Sequence, residues 1–435
     1  MMSIARVRGA LMSVSAPRLV LGILLLLATS NRALGKVAGL TFRLDLAGGV
    51  LAVGVVLAAL ALRRRVPVNP ALLWLGGFVA VQVLSSLIHR ALWPQGVKFS
   101  LIYVLALASV CAVLILVRDM ETARWALGLV VTLAAAETVI TVVSAVGGNV
   151  RGMSLPDLIR QRLNPQVAGA MSEANLFASL LLVPFAVALW RWTGPPRATR
   201  FAGAASLVLS TGLAFALTRA AWIGALGIMC LSPLHRRVRR RQLGQLVMVV
   251  AAATVLLLAL DLALHRGALR STRLYDRLAR GAVARFDAPL DVRLVEVKAA
   301  LPSWRESPWF GHGVGSGKLL KQYAHYRQWT YVRQDPWLSN GTIFVLHDSG
   351  LVGLTLLVVA LGAAARQWWN ARARITELNA RLDHEALAAG LAAVLLAWQV
   401  THGLWQMYGY LYLGLLLAMS RLGTDGDGTN DQVVT

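Results

Sequence analysis

Apolar segments about twenty residues long recur along most of this chain, and they constrain its fold more than any other feature. A helix of that length crosses the hydrocarbon core of a bilayer, where the backbone must satisfy its own hydrogen bonds. Hydrophobic residues make up 57% of the sequence and charged residues only 14%, which favours a membrane protein over a soluble one. We predict an all-α polytopic membrane protein with about twelve spans. The spans are placed at 17–35, 44–62, 71–91, 98–117, 126–148, 168–190, 201–218, 219–234, 243–264, 350–369, 386–404 and 405–421.

Clusters of basic residues set the orientation of these spans. The formal net charge is +23, but most of the basic residues stand in short segments between apolar runs. Anionic lipid accounts for them better than nucleic acid does, so no nucleic-acid partner is predicted. Basic clusters accumulate on the cytoplasmic side, which places both termini there. The clusters are at 63–65, 191–200, 236–241 and 366–381.

This orientation divides the chain into four parts. Residues 1–264 hold spans 1–9, residues 265–349 form a large external loop, residues 350–421 hold spans 10–12, and residues 422–435 form a cytoplasmic tail. The external loop contains thirteen Lys and Arg against seven Asp and Glu. Because basic residues normally avoid the external side, the excess suggests an anionic ligand.

Within the loop, arginines from Arg266 to Arg280, including Arg270 and Arg277, recur at helical spacing and share one face. That face either contacts water and lipid headgroups or guides an anionic, lipid-linked substrate along the membrane. A second loop helix is predicted from Asp291 to about Trp304.

Other residues suit phosphate binding. Arg219 opens span 8, where it is either a phosphate ligand or a side chain that reaches the membrane interface. Arg293 is either a second phosphate ligand or an ordinary surface residue. Gly313 and Gly315, in the string from Gly311 to Gly317, could bring backbone N–H groups to an anion or form a tight turn. No His, Asp or Glu set has metal-ligand spacing, and both cysteines lie in apolar runs, so no metal or other cofactor is predicted.

Four strings, in this order, resemble the O-antigen ligase and polymerase superfamily of bacterial membrane glycosyltransferases. They are Gly169–Ser179, which contains Asn175; Leu217–Trp222, which contains Arg219; Arg293–Gly317; and Asn340–Gly353. The resemblance covers roughly residues 168–355 and implies a GT-C-like helical fold. It also implies a multi-pass protein of the bacterial inner membrane whose active site faces the periplasm.

The resemblance implies a metal-free transfer of an oligosaccharide from undecaprenyl diphosphate to a hydroxyl of an acceptor glycan. Arg219 and Arg293 would neutralise the diphosphate leaving group. The implied substrate-binding set is Asn175, Arg270, Arg277, Gly313, Gly315, Ser339 and Asn340. The expected partners are the lipid-linked donor, the acceptor glycan and membrane lipids, with a chain-length regulator as a further candidate.

One departure from the family bears on the mechanism. Ligases of this family carry His-Asn where this chain has Ser339-Asn340, so the general base stays open. His347 and Asp348 are the first candidates, and His312, His325 and Asp335 are others. The departure favours a polymerase of lipid-linked repeat units that builds a surface polysaccharide. The alternatives are a ligase acting on the lipid A core of lipopolysaccharide and, more remotely, a flippase or transporter.

Overall fold

The structure is a computed structural model. It describes residues 15–31, 33–37, 40–64, 66–89, 95–147, 171, 173–194, 200–216, 218–231, 288–327, 338–401 and 403–425. The predicted span 243–264, the cluster 236–241, Arg270, Arg277 and Asp335 lie outside these residues.

The described residues form a helical bundle with one short hairpin. The bundle helices are α1 Ala16–Ala28, α2 Leu44–Ala61, α3 Pro70–Ile88, α4 Gln95–Leu116, α5 Met120–Gly147, α6 Ala174–Thr193, α7 Arg200–Phe215, α8 Arg219–Leu231, α11 Gly341–Arg372, α12 Leu378–Ala397 and α13 Met407–Asp425. The predicted second loop helix is confirmed as α9 Ala288–Glu306; a 3₁₀ helix over Ser316–Gln322 and the single turn α10 Ala324–Arg327 follow it.

Within the described residues, six helices are long and apolar enough to cross a membrane: α2, α3, α4, α5, α6 and α11. Three shorter apolar helices, α1, α7 and α8, accompany them. The chain is therefore a multi-pass membrane protein, as the apolar runs predicted. The junction predicted between spans 7 and 8 is also found, because α7 ends at Phe215 and α8 begins at Arg219.

The first apolar run is not helical over its predicted length. Helix α1 ends at Ala28, where polar residues replace leucines and the Thr29 hydroxyl donates to the Leu26 carbonyl, 2.7 Å away. Strands β1 Ala33–Val37 and β2 Leu40–Arg43 then form an antiparallel hairpin. An ion pair between Arg43 and Asp45, 2.7 Å long, fixes the start of α2 beside this hairpin.

Two later helices begin before the predicted spans. Helix α11 starts at Gly341 instead of residue 350, because the Asn340 side chain caps it by accepting from the Ile343 N–H at 2.9 Å. The helix is interrupted at Gly350, whose φ is 66°. Helix α12 covers 378–397, where a span over 386–404 was predicted. Residues 341–349 therefore belong to the bundle instead of an extended external loop.

Ion pairs gather at one end of the bundle, which we call the basic end. There Arg18 pairs with Glu121 at 2.9 Å, Arg191 with Asp383 at 2.7 Å, and Arg124 with Glu377. Helix ends from distant parts of the chain meet at this end, among them the end of α6 at Arg191 and the predicted cytoplasmic segment 366–381. Helix α9, the Gly-rich string and the start of α11 lie at the opposite end, which we call the loop end.

Candidate active site at the loop end

Ser339 and Asn340 are held at the start of α11 by the segment that follows α12. The Asn340 side-chain amide donates to the Gln399 carbonyl at 2.9 Å, and the Gly341 N–H donates to the Trp398 carbonyl at 3.0 Å. Both residues are half-buried. Because the N-terminus of a helix carries partial positive charge, this position favours an anionic ligand.

A buried carboxylate on α9 contacts the same segment. Glu296 is 6% exposed, and its Oε2 accepts a hydrogen bond from the Ser339 N–H at 2.9 Å. Burial raises the pKa of Glu296 above its ordinary value, although the bonds from Ser339 and the charge of Arg293 act in the opposite direction. Arg293 precedes Glu296 by one helical turn and is half-buried. A cation and a carboxyl group with a raised pKa thus lie beside Ser339.

Sequence reasoning missed Glu296 as a functional residue. The signal available was its position three residues after Arg293, which places both side chains on one face of α9. Nothing local to α9 indicates that this face packs against Ser339, which lies 43 residues further along the chain.

Arg219 is exposed at the first position of α8. The hydroxyl of the preceding Thr218 donates to Oδ1 of Asn175 at 2.9 Å, so two predicted site residues lie close together. The Trp222 indole donates to the Leu213 carbonyl at 2.9 Å and holds the α7–α8 junction. Two residues after Trp222, Gly224 packs closely against α12: a Cβ added there would lie 3.2 Å from that of Ala393.

A buried set of aromatic residues joins the Asn175 segment to the Asn340 segment. The hydroxyl of Tyr408 donates to the Leu176 carbonyl at 3.3 Å and accepts from the Trp398 indole at 3.4 Å. Trp398 is in turn bonded to Gly341 through its carbonyl. Asn175, Arg219, Arg293, Ser339 and Asn340 therefore share the loop end, around the C-terminus of α12.

The two glycines predicted to bind an anion both donate hydrogen bonds to Asp348, Gly315 to its side-chain carboxylate and Gly313 to its backbone carbonyl. Gly313 and Gly315 have φ values of 86° and 84°. The Gly315 N–H donates to Oδ2 of Asp348 at 3.0 Å, and the Gly313 N–H donates to the Asp348 carbonyl at 2.9 Å. In this structure the Gly-rich string is a turn docked on α11, and substrate binding by Gly313 and Gly315 stays a prediction.

His347 belongs to the same docked turn. Its Nε2 lies 3.0 Å from the Ser303 hydroxyl, its Nδ1 lies 2.9 Å from that of Ser316, and Asp348 Oδ1 lies 3.4 Å from Nδ1. The arrangement resembles a Ser-His-Asp relay, but His347 and Asp348 are both 0% exposed. The network fastens α9 and the Gly-rich turn to α11, and a catalytic role for His347 or Asp348 stays a prediction.

The other proposed bases are less suitably placed. His312 is buried, lies 2.7 Å from the Ser303 carbonyl through Nε2, and has its pKa lowered mainly by burial. His325 is exposed on α10. Among the described residues, no three His, Cys, Asp or Glu side chains lie close enough to hold a metal ion. The metal-free mechanism stays a prediction.

A family model described as O-antigen ligase matches residues 204–358. The match runs from α7 into α11 and includes Arg219, Arg293, Glu296 and Asn340; Asn175 precedes it. No curated protein matches the chain. The match agrees with the resemblance that the four sequence strings indicated.

Proposed function

Starting from a domain of the O-antigen ligase family at residues 204–358, we propose that this protein polymerises undecaprenyl-diphosphate-linked oligosaccharide repeat units into a surface polysaccharide. The observation that carries the proposal is the grouping of Arg293, Glu296 and Ser339 at one helix N-terminus. It supplies a cation for a phosphate leaving group and a carboxylate for an acceptor hydroxyl in one place. The loop end would face the periplasm, across the bacterial inner membrane from the basic end.

The leaving group in this reaction is a lipid diphosphate. As the bond between the anomeric carbon and the diphosphate oxygen breaks, negative charge grows on that oxygen. Arg293 and Arg219 stabilise this charge with hydrogen bonds from planar guanidinium groups, which suit phosphate oxygens. The N-termini of α6, α8 and α11 add partial positive charge at the same end. No metal is needed in this scheme.

The acceptor hydroxyl must lose a proton as its oxygen forms the new glycosidic bond, and we assign that proton to Glu296. Its raised pKa brings a carboxylate closer to neutral pH, where a general base is most effective. The neighbouring Ser339 hydroxyl can orient the acceptor, since it lies against the same carboxylate. The fully buried His347 lacks such access.

A ligase is the second candidate, because the matching family model carries that description. The two activities differ only in the acceptor: a lipid-linked repeat unit for the polymerase and the lipid A core for the ligase. Ser339, standing where ligases of the family carry His, favours the polymerase.

Polysaccharide gel profiles of a deletion strain and its parent would test the proposal. A polymerase predicts that the ladder disappears while single repeat units remain attached to the acceptor. Loss of attachment, with accumulation of long lipid-linked chains, would establish the ligase. An unchanged profile, with unaltered lipid-linked intermediates, would reject both.

A further inference from the structure

A groove between α6, α11, α12 and α13 lies away from the candidate active site. Its volume is about 470 Å³, and most of its wall is apolar: Leu361, Ala365, Ala392, Leu395, Leu413 and Leu416. Ala365 and Ala392 are exposed at the bundle surface, so the groove opens sideways. In a membrane protein, a sideways opening at an apolar surface meets lipid chains.

Two indole N–H groups on residues that line this groove have no acceptor within the described parts of the chain. They belong to Trp190, which is 3% exposed, and to Trp368. A buried N–H without an acceptor costs free energy, and nearly all such groups in proteins are paired. A bound molecule that brought acceptor oxygens to these two N–H groups would remove this cost.

The groove ends in a cationic cluster at the basic end of the bundle. Arg372, which lines the groove, lies 5.4 Å over the Trp369 ring and donates to Oε1 of Glu385 at 2.8 Å. Arg381 donates to the same oxygen at 3.2 Å. Two guanidinium groups share one carboxylate, so the cluster keeps a net positive charge that suits an anionic group.

We propose that this groove binds one anionic phospholipid of the leaflet at the basic end. An acyl chain occupies the apolar groove, the phosphate lies at Arg372, and ester oxygens accept from the indole N–H groups. Basic pockets between membrane helices bind anionic headgroups in this way, most often on the cytoplasmic side. The lipid-linked donor is a weaker fit, because the arginines that would hold its diphosphate, Arg219 and Arg293, are at the opposite end.

Binding can be measured on the purified full-length protein by native mass spectrometry, with phosphatidylglycerol and phosphatidylcholine as the added lipids. We expect phosphatidylglycerol to bind, and phosphatidylcholine to bind much more weakly. Arg372→Gln should weaken phosphatidylglycerol binding about fivefold, the effect of removing one basic residue near an anionic lipid. The matched control is Arg374→Gln, an exposed arginine two residues away that does not line the groove.

A second variant tests the groove without touching its charge. Ala392→Phe fills the groove from an exposed position, so it should abolish binding while the protein still folds. Equal binding to wild type, Ala392→Phe and Arg372→Gln would overturn the proposal, as would equal binding of both lipids. Displacement of phosphatidylglycerol by equimolar undecaprenyl diphosphate would assign the groove to the donor instead.

Discussion

At the residue scale, Arg293 stands at the centre of the proposed chemistry. Replacing it with alanine should reduce glycan transfer by about a hundredfold, comparable to removing one stabilising donor from other active sites. It should also raise the pKa of Glu296 further, since the charge of Arg293 now lowers that pKa. The measurement is glycan transfer by purified protein across a pH series. Arg305→Ala, an exposed arginine on the same helix, is the control; equal losses in the two variants would contradict the assignment.

Protonation of Glu296 should lower the activity of the protein but raise its stability. Because burial raises its pKa, the wild-type transfer rate should fall as the pH drops through that raised value and the carboxylate is protonated. The Glu296→Gln variant should lose most of its activity, and its remaining activity should no longer fall as the pH drops. Because the pKa of Glu296 is higher in the folded protein than in the unfolded chain, folding favours the protonated carboxyl group. This stabilisation is fully present at a pH below the unfolded-state pKa, and it is lost as the pH rises through the folded-state pKa.

Glutamine is uncharged at every pH, so a variant with glutamine at this position does not lose stability as the pH rises. At neutral pH, the Glu296→Gln protein should therefore unfold at the wild-type temperature or at a higher one. Thermal unfolding of the purified variant measures this. Full activity in Glu296→Gln alongside an inactive Arg293→Ala would place the base elsewhere and leave the proposed function intact.

At the element scale, the interruption of α11 at Gly350 permits the docking of the loop that precedes it. Gly350 has a φ of 66°, and a Cβ there would lie 2.3 Å from the Trp309 carbonyl carbon. The close contact between the backbones of Gly350 and Trp309 also lets the Leu351 and Val352 N–H groups donate to the carbonyls of Pro308 and Trp309. Gly350→Ala should therefore destabilise the protein by more than the roughly 1 kcal/mol typical of glycine effects.

Gly362, in the uninterrupted part of α11, has no atom within 4 Å of an added Cβ and gives the matched control. Gly362→Ala should be neutral or stabilising by up to about 1 kcal/mol, since alanine is the better helix former. Thermal unfolding in one detergent compares the two variants. Similar unfolding temperatures would show that the close approach at Gly350 is not needed.

At the scale of the whole molecule, the two ends of the bundle should face opposite sides of the membrane. Cysteine placed at Lys321, exposed at the loop end, should react with a membrane-impermeant maleimide in intact cells whose outer membrane admits the reagent. Cysteine at Arg374, exposed at the basic end, should react only after the inner membrane is opened. Both tests need Cys111 and Cys230 replaced first. The reverse pattern would invert the proposed topology.

Most bundle helices could be predicted from the sequence because burial in lipid requires apolar runs of fixed length. Arg219 and α9 were found for similarly local reasons: a charge at the start of an apolar run, and Pro289 and Pro308 at the two ends of the loop helix. Asn340 was found through the family resemblance, and its role as a helix cap became visible only in the structure. The contact between Glu296 and Ser339 could not be predicted, because it depends on how two distant segments pack. The burial of His347 was missed for the same reason, since its partners Ser303 and Ser316 lie on separate elements.

The pairing of α3 with α11 has a consequence for how the protein is made. Gln82 donates to Ser349, 267 positions later in the chain, and Ser85 donates to the Asp348 carbonyl, 263 positions later. The ribosome releases α3 into the insertion machinery long before it has synthesised α11. Until then, these polar side chains need temporary partners, from the translocon or an insertion chaperone. If synthesis stopped before α11, the polar side chains on α3 would not find their partners on α11. The incomplete protein would then become a substrate for membrane quality-control proteases.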